Sequence, residues 1–452
     1  MRYITATLLL GSLALTACEG RITSSEPQPS LDAQLRQNIG GWGVVPIGPM
    51  QARDAAMVEL GRLLFFDRIL SGNRDVACAT CHHPSTALAD GRHFSVGTGG
   101  TGQGAARELG PGRVLGRRSA PTLLNSGLGM TYQFWDGRLN GSRAGGFRLE
   151  DVEEAAALPH GLPDILVAQA MLPVLNRQEM RGKKGDVDVS GDANEIAAFD
   201  RGEEREIWEA IMERILAIPE YVARFNAAFG HQGRVHRFED AARAIAEFQM
   251  EAFTFTRSPF DRYLDRNDAA LTAEQKRGGL LFFGKARCSN CHAGPFLGGQ
   301  GFVNVGVPQI GSGGNTEPPL DLGRGELPDN EFYRFAFRVA PLRNVELTAP
   351  YMHNGAYPTL DAVVRHYNDV PDAMRTYDAR HHAPAVAHLH HDDEATVSAI
   401  AVTLDGRLQA PLDLTEEEMS DLIAFLHALT DPEARNLGSL VPARVPSGLP
   451  LP

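Results

Sequence analysis

The sequence predicts a mainly α-helical fold in which long loops join two similar domains. The motif Cys-x-x-Cys-His occurs twice in 452 residues, beginning at Cys78 and at Cys288, which lie 210 residues apart. The same apolar segment, Leu-Leu-Phe-Phe, precedes both copies at residues 63–66 and 280–283. A repeat at this separation is too long for a solenoid and fits two domains. Strand-like alternation is rare, and the 47 glycines indicate many irregular connections.

Helix signals occur in both halves of the chain. Capping boxes at Thr272–Gln275 and Thr415–Glu418 predict the starts of two helices. Apolar residues at helical spacing predict further helices over residues 207–229 and 238–255. The polar stretch 183–204 lacks any periodicity and is interpreted as an inserted surface loop.

The spacing within each motif is that of a c-type haem attachment site. The predicted covalent haem ligands are Cys78, Cys81, Cys288 and Cys291, and the predicted proximal iron ligands are His82 and His292. A lone Cys-x-x-Cys is also typical of zinc binding or thiol redox chemistry, but the adjoining histidine, found twice, argues against both. We therefore expect two covalently bound haems.

The fifth cysteine, Cys18, follows a short apolar run over residues 4–17. This run is too short to span a bilayer and predicts an export signal. Its last residues, Leu-Thr-Ala-Cys, resemble the bacterial lipobox, in which the cysteine is acylated and anchors the protein to a membrane. The alternative is an ordinary secretory signal with an incidental cysteine. Both interpretations predict a periplasmic location.

The motifs also predict the domain organisation. The expected units are a lipoprotein-type export signal (1–18), a tether (19–38), an N-terminal domain (39–257), a C-terminal domain (258–435) and a tail (436–452). The net charge of −13 argues against a nucleic-acid partner and permits electrostatic steering of a basic electron-donor protein.

Five further segments resemble the bacterial dihaem cytochrome c peroxidase family, which includes the MauG-type enzymes. These segments are Arg118–Thr122, Phe134–Arg138, Gln178–Met180, Ser258–Tyr263 and Leu342–Gly355, and they follow the family order around both motifs. The resemblance implies two cytochrome c-like domains. It also implies that peroxide reacts at the N-terminal haem, on His82, and that electrons pass through the C-terminal haem, on His292.

The distal side of the first haem departs from the family pattern. Ordinary members carry a removable distal histidine sixteen residues after the proximal one, a position that Thr98 holds here. A threonine hydroxyl is a poor ligand for ferric iron, so we expect an open or water-occupied site. The alternative is that His93 swings in, since His83 and His93 are near but out of register.

The second haem departs in the same manner. In the peroxidases a methionine lies nineteen residues after the threonine of the Leu-Thr-x-Pro-Tyr motif, and from Thr348 that count reaches Tyr367. MauG-type members also place tyrosine here, and a phenolate ligand stabilises ferric iron. The alternative is a core tyrosine, with Met374 or Met352 as the ligand.

The resemblance implies four further roles. Glu179 matches the distal acid that moves protons during peroxide cleavage. Trp135 matches the indole between the two haems, although a core tryptophan is the alternative. Thr348 and Pro350 match carbonyl donors of a calcium ion, whose usual third donor, an asparagine, is replaced by Ser119. A histidine-rich stretch could bind a transition metal or be solvated; it comprises His381, His382, His388, His390 and His391.

These observations predict a dihaem peroxidase that reduces hydrogen peroxide with electrons from a small carrier such as cytochrome c. Two alternatives remain open. A MauG-type enzyme would use peroxide to oxidise residues of a partner protein, and a non-enzymatic dihaem electron carrier would have two six-coordinate haems and no peroxide chemistry.

Overall fold

The computed structural model describes residues 29–142, 146–150, 157–230, 233, 235–311 and 319–452. The predicted export signal, including Cys18, lies outside the described residues. Within those ranges the fold is mainly helical with a few short strands, which confirms the predicted fold class. No helix in the described ranges is both long and apolar enough to cross a membrane.

Within its described residues, the first half of the chain forms seven α-helices and a small antiparallel sheet. The helices are α1 (Leu31–Ile39), α2 (Ala55–Phe66), α3 (Cys78–Cys81), α4 (Ile165–Met171), α5 (Glu204–Leu216), α6 (Pro219–Phe229) and α7 (Phe238–Ala252). The strands are β1 (Tyr132–Gln133), β2 (Leu139–Ser142) and β3 (Gly146–Leu149), in the order β1-β2-β3 with Leu139 opposite Leu149. The single helix predicted over 207–229 is two helices, because Pro219 begins a new helix at α6.

The second half repeats this plan with shorter helices. They are α8 (Pro259–Leu264), α9 (Ala273–Phe282), α10 (Leu360–Asn368), α11 (Val370–Thr376), α12 (Ala379–His382), α13 (Glu394–Val402) and α14 (Glu416–His427). Strands β4 (Phe302–Val303) and β5 (Phe337–Arg338) form an antiparallel pair. Both predicted capping boxes are confirmed at the starts of α9 and α14.

A close helix crossing occurs once in each half. Helix α2 meets α7 at Gly61, where an added Cβ would lie 1.9 Å from the carbonyl oxygen of Ala244. Helix α9 meets α14 at Gly278, where an added Cβ would lie 1.9 Å from the carbonyl oxygen of Asp421. Only glycine permits backbones to approach so closely. The sequence repeat therefore corresponds to a repeated pair of packed helices.

The buried apolar side chains form two large clusters. The first surrounds α2 and α7 and the second surrounds α9 and α14. Fully burying one leucine or phenylalanine contributes about 2 kcal/mol, so these clusters are the main source of stability. The predicted domain boundary near residue 258 stays a prediction.

Each end of the described chain packs on the opposite half. Leu35 and Ile39 of α1 belong to the second cluster, whereas Leu437 and Val445 belong to the first. The tether expected over 19–38 is therefore wrong for its last residues. They form a helix that Ser30 caps and that buries Leu35 completely.

Candidate functional site

The two proximal histidines are held in the same manner. His82 Nδ1 donates to the Leu88 carbonyl at 2.9 Å, and His292 Nδ1 donates to the Leu297 carbonyl at 3.1 Å. Both leucines have a left-handed backbone, with φ of 58° and 52°, which turns their carbonyls towards the imidazoles. Such a second hydrogen bond fixes the ring and leaves Nε2 for a metal.

The four motif cysteines lie in partly buried surroundings. Burial raises the pKa of Cys78, Cys81 and Cys288 to about 12. The spacing of each cysteine pair beside an oriented histidine fits thioether attachment of a haem, in which no thiolate is kept.

An asparagine clamps the end of the partner helix in each half. Asn125 accepts from the Phe255 amide at 2.7 Å, and Asn344 accepts from the Asp431 amide at 2.8 Å. Both asparagines have positive φ, 62° and 64°. These clamps tie the loop after each haem motif to the end of α7 or α14. The two partners of each clamp are 130 and 87 residues apart in the chain, so no local sequence pattern predicted these contacts.

A large, mainly apolar cavity lies where the two halves meet. Its wall includes Cys288, Cys291 and His292 from the second motif and Trp135 from the first half. The Trp135 indole Nε1 donates to the Ser119 carbonyl at 2.9 Å, which fixes the ring. Trp135 therefore lies beside the second motif rather than in the centre of either apolar cluster.

Tyr367 lines the same cavity. Helix α10 presents to it a stripe at positions i, i+3, i+4 and i+7, namely Leu360, Val363, Val364 and Tyr367. Burial raises the pKa of Tyr367, and electrostatic interaction with Cys291 and Cys288 acts in the same direction. The phenol is therefore close to the second haem motif.

The two alternative ligands differ in their positions. Met352 also lines the cavity. Met374 instead packs with Val370 in a smaller apolar cluster, against Gly306. Of the three candidates, only Tyr367 and Met352 share the cavity with His292.

The structure brings Thr98 and Glu179 together. The Thr98 amide donates to the Glu179 carbonyl at 3.0 Å, and a Cβ on Gly97 would lie 2.0 Å from the Gln178 carbonyl oxygen. Besides burial, electrostatic interaction with Glu179 raises the pKa of Cys78 and Cys81. Glu179 is thus near the first motif, next to the loop that carries Thr98.

Two side chains that sequence reasoning missed hold this loop. Asp75 accepts from the Thr98 hydroxyl at 3.0 Å and from the Gly99 amide at 2.5 Å. Buried Arg107 donates from Nε to the Val96 carbonyl at 2.8 Å and from Nη2 to the Gly97 carbonyl at 2.8 Å. Neither residue belongs to a motif, so the sequence carried no signal for them.

The nearby histidines make other contacts. His93 Nδ1 donates to the Gly355 carbonyl at 3.0 Å, and His83 Nδ1 accepts from the Ser85 amide at 3.1 Å. The described residues contain no group of three or more His, Cys, Asp or Glu side chains arranged for a metal ion, the histidine-rich stretch over 381–391 included. Ser119, Thr348 and Pro350, the predicted calcium donors, all line the cavity.

Comparisons with known proteins agree with this geometry. A family model described as di-haem cytochrome c peroxidase matches residues 55–269. The cytochrome-c peroxidase IdrP2 of Denitromonas iodatirespirans is 30% identical over 342 residues, which cover 70% of this chain and 75% of that protein. The chain belongs to the dihaem cytochrome c peroxidase family. It is therefore an oxidoreductase of the peroxidase type with two c-type haems.

Other members of the dihaem peroxidase family are also similar along most of their length. The methylamine utilization protein MauG of Methylorubrum extorquens is 29% identical over 434 residues, which cover 95% of this chain and 94% of that protein. A solved MauG-like protein associated with microbial copper homeostasis superimposes with a TM-score of 0.58. It is 26% identical and the match covers 88% of this chain and 95% of that one.

The residues of this dihaem peroxidase fit the haems that the family implies. Each motif offers two partly buried cysteines and a histidine whose Nδ1 is fixed by a backbone hydrogen bond, which leaves Nε2 for the iron. Burial lowers the pKa of both histidines, that of His292 to about 4, so the rings are neutral as iron ligands require. The apolar cavity beside the second motif suits a porphyrin.

Proposed function

We propose that this dihaem peroxidase reduces hydrogen peroxide in the distal pocket of the first haem, held by Cys78, Cys81 and His82. The observation that supports the proposal is the backbone hydrogen bond from the Thr98 amide to the Glu179 carbonyl, which brings these two residues together. When bound, the haem iron supplies the electrons that reduce the peroxide. The chain itself supplies a shaped pocket and a proton carrier.

Glu179 is the proton carrier in this proposal. Its carboxylate takes a proton from one peroxide oxygen and gives it to the other, which leaves as water. Asp75 and Arg107 hold the loop over 96–99, whose Thr98 amide donates to the Glu179 carbonyl, and this supports a fixed backbone for the proton carrier. His93 Nδ1 donates a hydrogen bond to the Gly355 carbonyl, which supports an open distal position rather than ligation by His93.

Electrons reach the first haem through the second haem, held by Cys288, Cys291 and His292, and through Trp135. The indole lies in the wall of the shared cavity with its N–H bonded to Ser119, which supports a fixed relay between the halves. Tyr367 is the proposed distal ligand of the second haem, supported by its place on the cavity side of α10.

The remaining proposals concern the surroundings of the site. Ser119, Thr348 and Pro350 are proposed calcium donors, supported by their common position on the cavity wall. Acylation of Cys18 is proposed to anchor the protein to a membrane in the periplasm. The electron donor is a small redox protein such as a cytochrome c.

The decisive experiment is the absorption spectrum of the fully ferric protein before and after one equivalent of hydrogen peroxide. An open first haem reacts at once and loses its high-spin band. A protein that reacts only after half-reduction would contradict the open site. Thr98→His is the matched comparison, because it restores an imidazole at this position and should make the reaction depend on prior reduction.

One observation favours a second candidate function, oxidation of a partner protein in the manner of MauG. Tyr367 lines the cavity that also contains His292, which supports a phenolate ligand. Such a ligand would stabilise the oxidised second haem and favour storage of oxidising equivalents on both haems. Tyr367→Met tests this function. We expect a higher reduction potential and a shorter-lived oxidised state. An unchanged lifetime would favour the cytochrome c peroxidase function.

A further inference from the structure

A continuous row of aromatic rings leads from the second haem cavity to the protein surface. The Tyr367 ring contacts His366 at 5.4 Å between centroids, His366 contacts Tyr357 at 5.0 Å, and Tyr357 contacts Tyr377 at 5.4 Å. Tyr377 in turn contacts His382 and His390, each at 5.2 Å. The histidine-rich stretch is therefore the outer end of this row.

The row begins at the cavity and ends near solvent. Tyr367 shares the cavity wall with His292, whereas Tyr357 is buried, with 3% of its surface exposed. Tyr377, His382 and His390 are partly exposed, and His381, which contacts His382 at 4.7 Å, is exposed. The row thus connects a redox cofactor site with a place that a partner can reach.

Tyr357 differs from an ordinary core tyrosine in the hydrogen-bond partner of its hydroxyl. Its hydroxyl lies 2.8 Å from His366 Nδ1, and His366 Nε2 lies 2.8 Å from the Val305 carbonyl. A carbonyl only accepts, so Nε2 carries the proton and Nδ1 is an acceptor for the Tyr357 hydroxyl. The phenol therefore donates to a neutral imidazole that has its other nitrogen fixed.

This pairing matters because a tyrosine loses its phenolic proton when it loses an electron. A hydrogen-bonded base in place removes the cost of releasing that proton into an apolar interior. None of the other tyrosine hydroxyl contacts recorded among the described residues is to a histidine; Tyr221, for example, donates to the carboxylate of Asp67 at 2.6 Å. Tyr357 thus combines a proton acceptor with a position between two other tyrosines.

We propose that Tyr357 is a redox-active tyrosine, positioned by His366, that relays electrons from the surface at Tyr377 to Tyr367 and the second haem. The inference rests on the proposed function, which supplies the oxidant from peroxide. Tyr357 loses one electron through Tyr367, and its phenolic proton moves to His366 Nδ1. An external one-electron donor then refills the site through Tyr377, the proton returns to Tyr357, and the donor is oxidised by one electron.

The relay also specifies where the donor meets the protein. The row emerges among His381, His382 and His390 rather than at the glycine-rich loop beside Thr98. The electron donor would therefore dock at this histidine-rich stretch.

The test is freeze-quench electron paramagnetic resonance of the ferric holoenzyme after one equivalent of hydrogen peroxide, with haem absorption recorded on the same samples. We expect a tyrosyl radical in the wild type, its loss in Tyr357→Phe and its retention in Tyr221→Phe. Tyr221 is the matched control, because it is buried and hydrogen-bonded but makes no ring contact with the row.

A second readout follows the return of electrons. Stopped-flow re-reduction of the peroxide-treated protein by a small cytochrome c should slow at least tenfold in Tyr357→Phe and in Tyr377→Phe. Tyr357→Trp, which stays oxidisable without a phenolic proton, should recover part of the rate.

The possible outcomes distinguish a failure of the relay from a failure of the proposed function. A normal haem response with an unchanged radical and an unchanged re-reduction rate in Tyr357→Phe would overturn the relay alone. The relay is also wrong if the wild type forms no tyrosyl radical. A ferric wild type whose haem absorption ignores peroxide would overturn the proposed function and the relay with it.

Discussion

The two haem-motif regions of this chain have the same proximal side and different distal sides. Both begin with a helix that crosses a partner helix at a glycine, Gly61 or Gly278. In both, the motif histidine donates a hydrogen bond to the carbonyl of a leucine, and this leucine has a positive φ. The features that hold a haem are thus the ones that the two regions share.

The distal sides differ in polarity and in construction. Beside the first motif, Asp75 and Arg107 hold the glycine-rich loop that carries Thr98, and this loop contacts the Glu179 backbone. Beside the second, helix α10 presents an apolar stripe that ends in Tyr367. The features of attachment are thus common to both regions, and in the proposed mechanism the opposite face of each haem determines whether it meets a substrate or exchanges electrons.

The largest expected effect is a loss of peroxide turnover caused by a change on the distal side of the first haem motif. Glu179→Gln keeps the size of the side chain but cannot take up a proton, so peroxide turnover should fall about 1,000-fold. Steady-state kinetics measures this loss, and the reduction potential of the second haem should stay the same. The exposed Glu209→Gln is the control. Turnover within a few-fold of wild type in Glu179→Gln would remove the carboxylate from the mechanism.

The shared helix crossing gives the next effect. Gly61→Ala and Gly278→Ala each force a methyl group against a backbone carbonyl, and each should lower the free energy of unfolding by about 3 kcal/mol. Urea denaturation measures both values. Gly41→Ala, where nothing lies within 4 Å, is the control. If only one of the two variants is destabilised, the crossings are not equivalent.

A buried acid distinguishes the two proximal sides. Asp90 lies two residues after Leu88, and the matching residue after Leu297 is Gly299. Burial raises the pKa of Asp90 from 3.8 to about 6, although hydrogen bonds from the Ala120 and Arg92 amides act against this. The folded state therefore prefers the protonated acid.

This preference has a definite sign. The stabilisation is complete below about pH 4 and is lost as pH rises through about 6, a change of roughly 3 kcal/mol. Asp90→Asn should flatten the pH dependence of unfolding between pH 4 and 7, whereas exposed Glu274→Gln should not. A steep dependence that persists in Asp90→Asn would mean that another group is responsible.

The smallest effect concerns the hydroxyl of Thr98. Thr98→Val removes its hydrogen bond to Asp75 and should cost roughly 1 kcal/mol of stability. Because a valine cannot ligate iron either, the ferric spectrum should remain high-spin, unlike that of Thr98→His. A change of spin state in Thr98→Val would show that the hydroxyl itself reaches the iron.

Much of the molecule follows from local sequence signals. The two motifs, the capped helices α9 and α14 and the mainly helical fold were predictable, because each depends on residues a few positions apart. The site segments were recognised because they follow the family order. Such segments indicate the chemistry of the site but not which residues contact each other. Pro219 could have indicated the start of a new helix, but the apolar periodicity continues across it and favoured a single helix.

Other features depend on distant pairs that periodicity does not encode. Apolar spacing in α1 indicates a buried face, but nothing local states that this face packs on the second cluster. Asp75 acts on a loop 23 residues away, and the imidazole of His366 is fixed by the Val305 carbonyl 61 residues away. Such contacts become visible only when the chain is folded.

The packing of each chain end on the opposite half affects how the protein folds. Ser447 Oγ donates to Asp67 at 2.6 Å and Arg68 donates to the Leu451 carbonyl at 3.1 Å, so late residues complete the early half, as α1 completes the late half. Neither hydrophobic core is finished until the whole polypeptide is available. Contacts of such high contact order form slowly, and they make the stability of each half depend on the other. Fragments cut near residue 258 would each lack a structural part that the other carries.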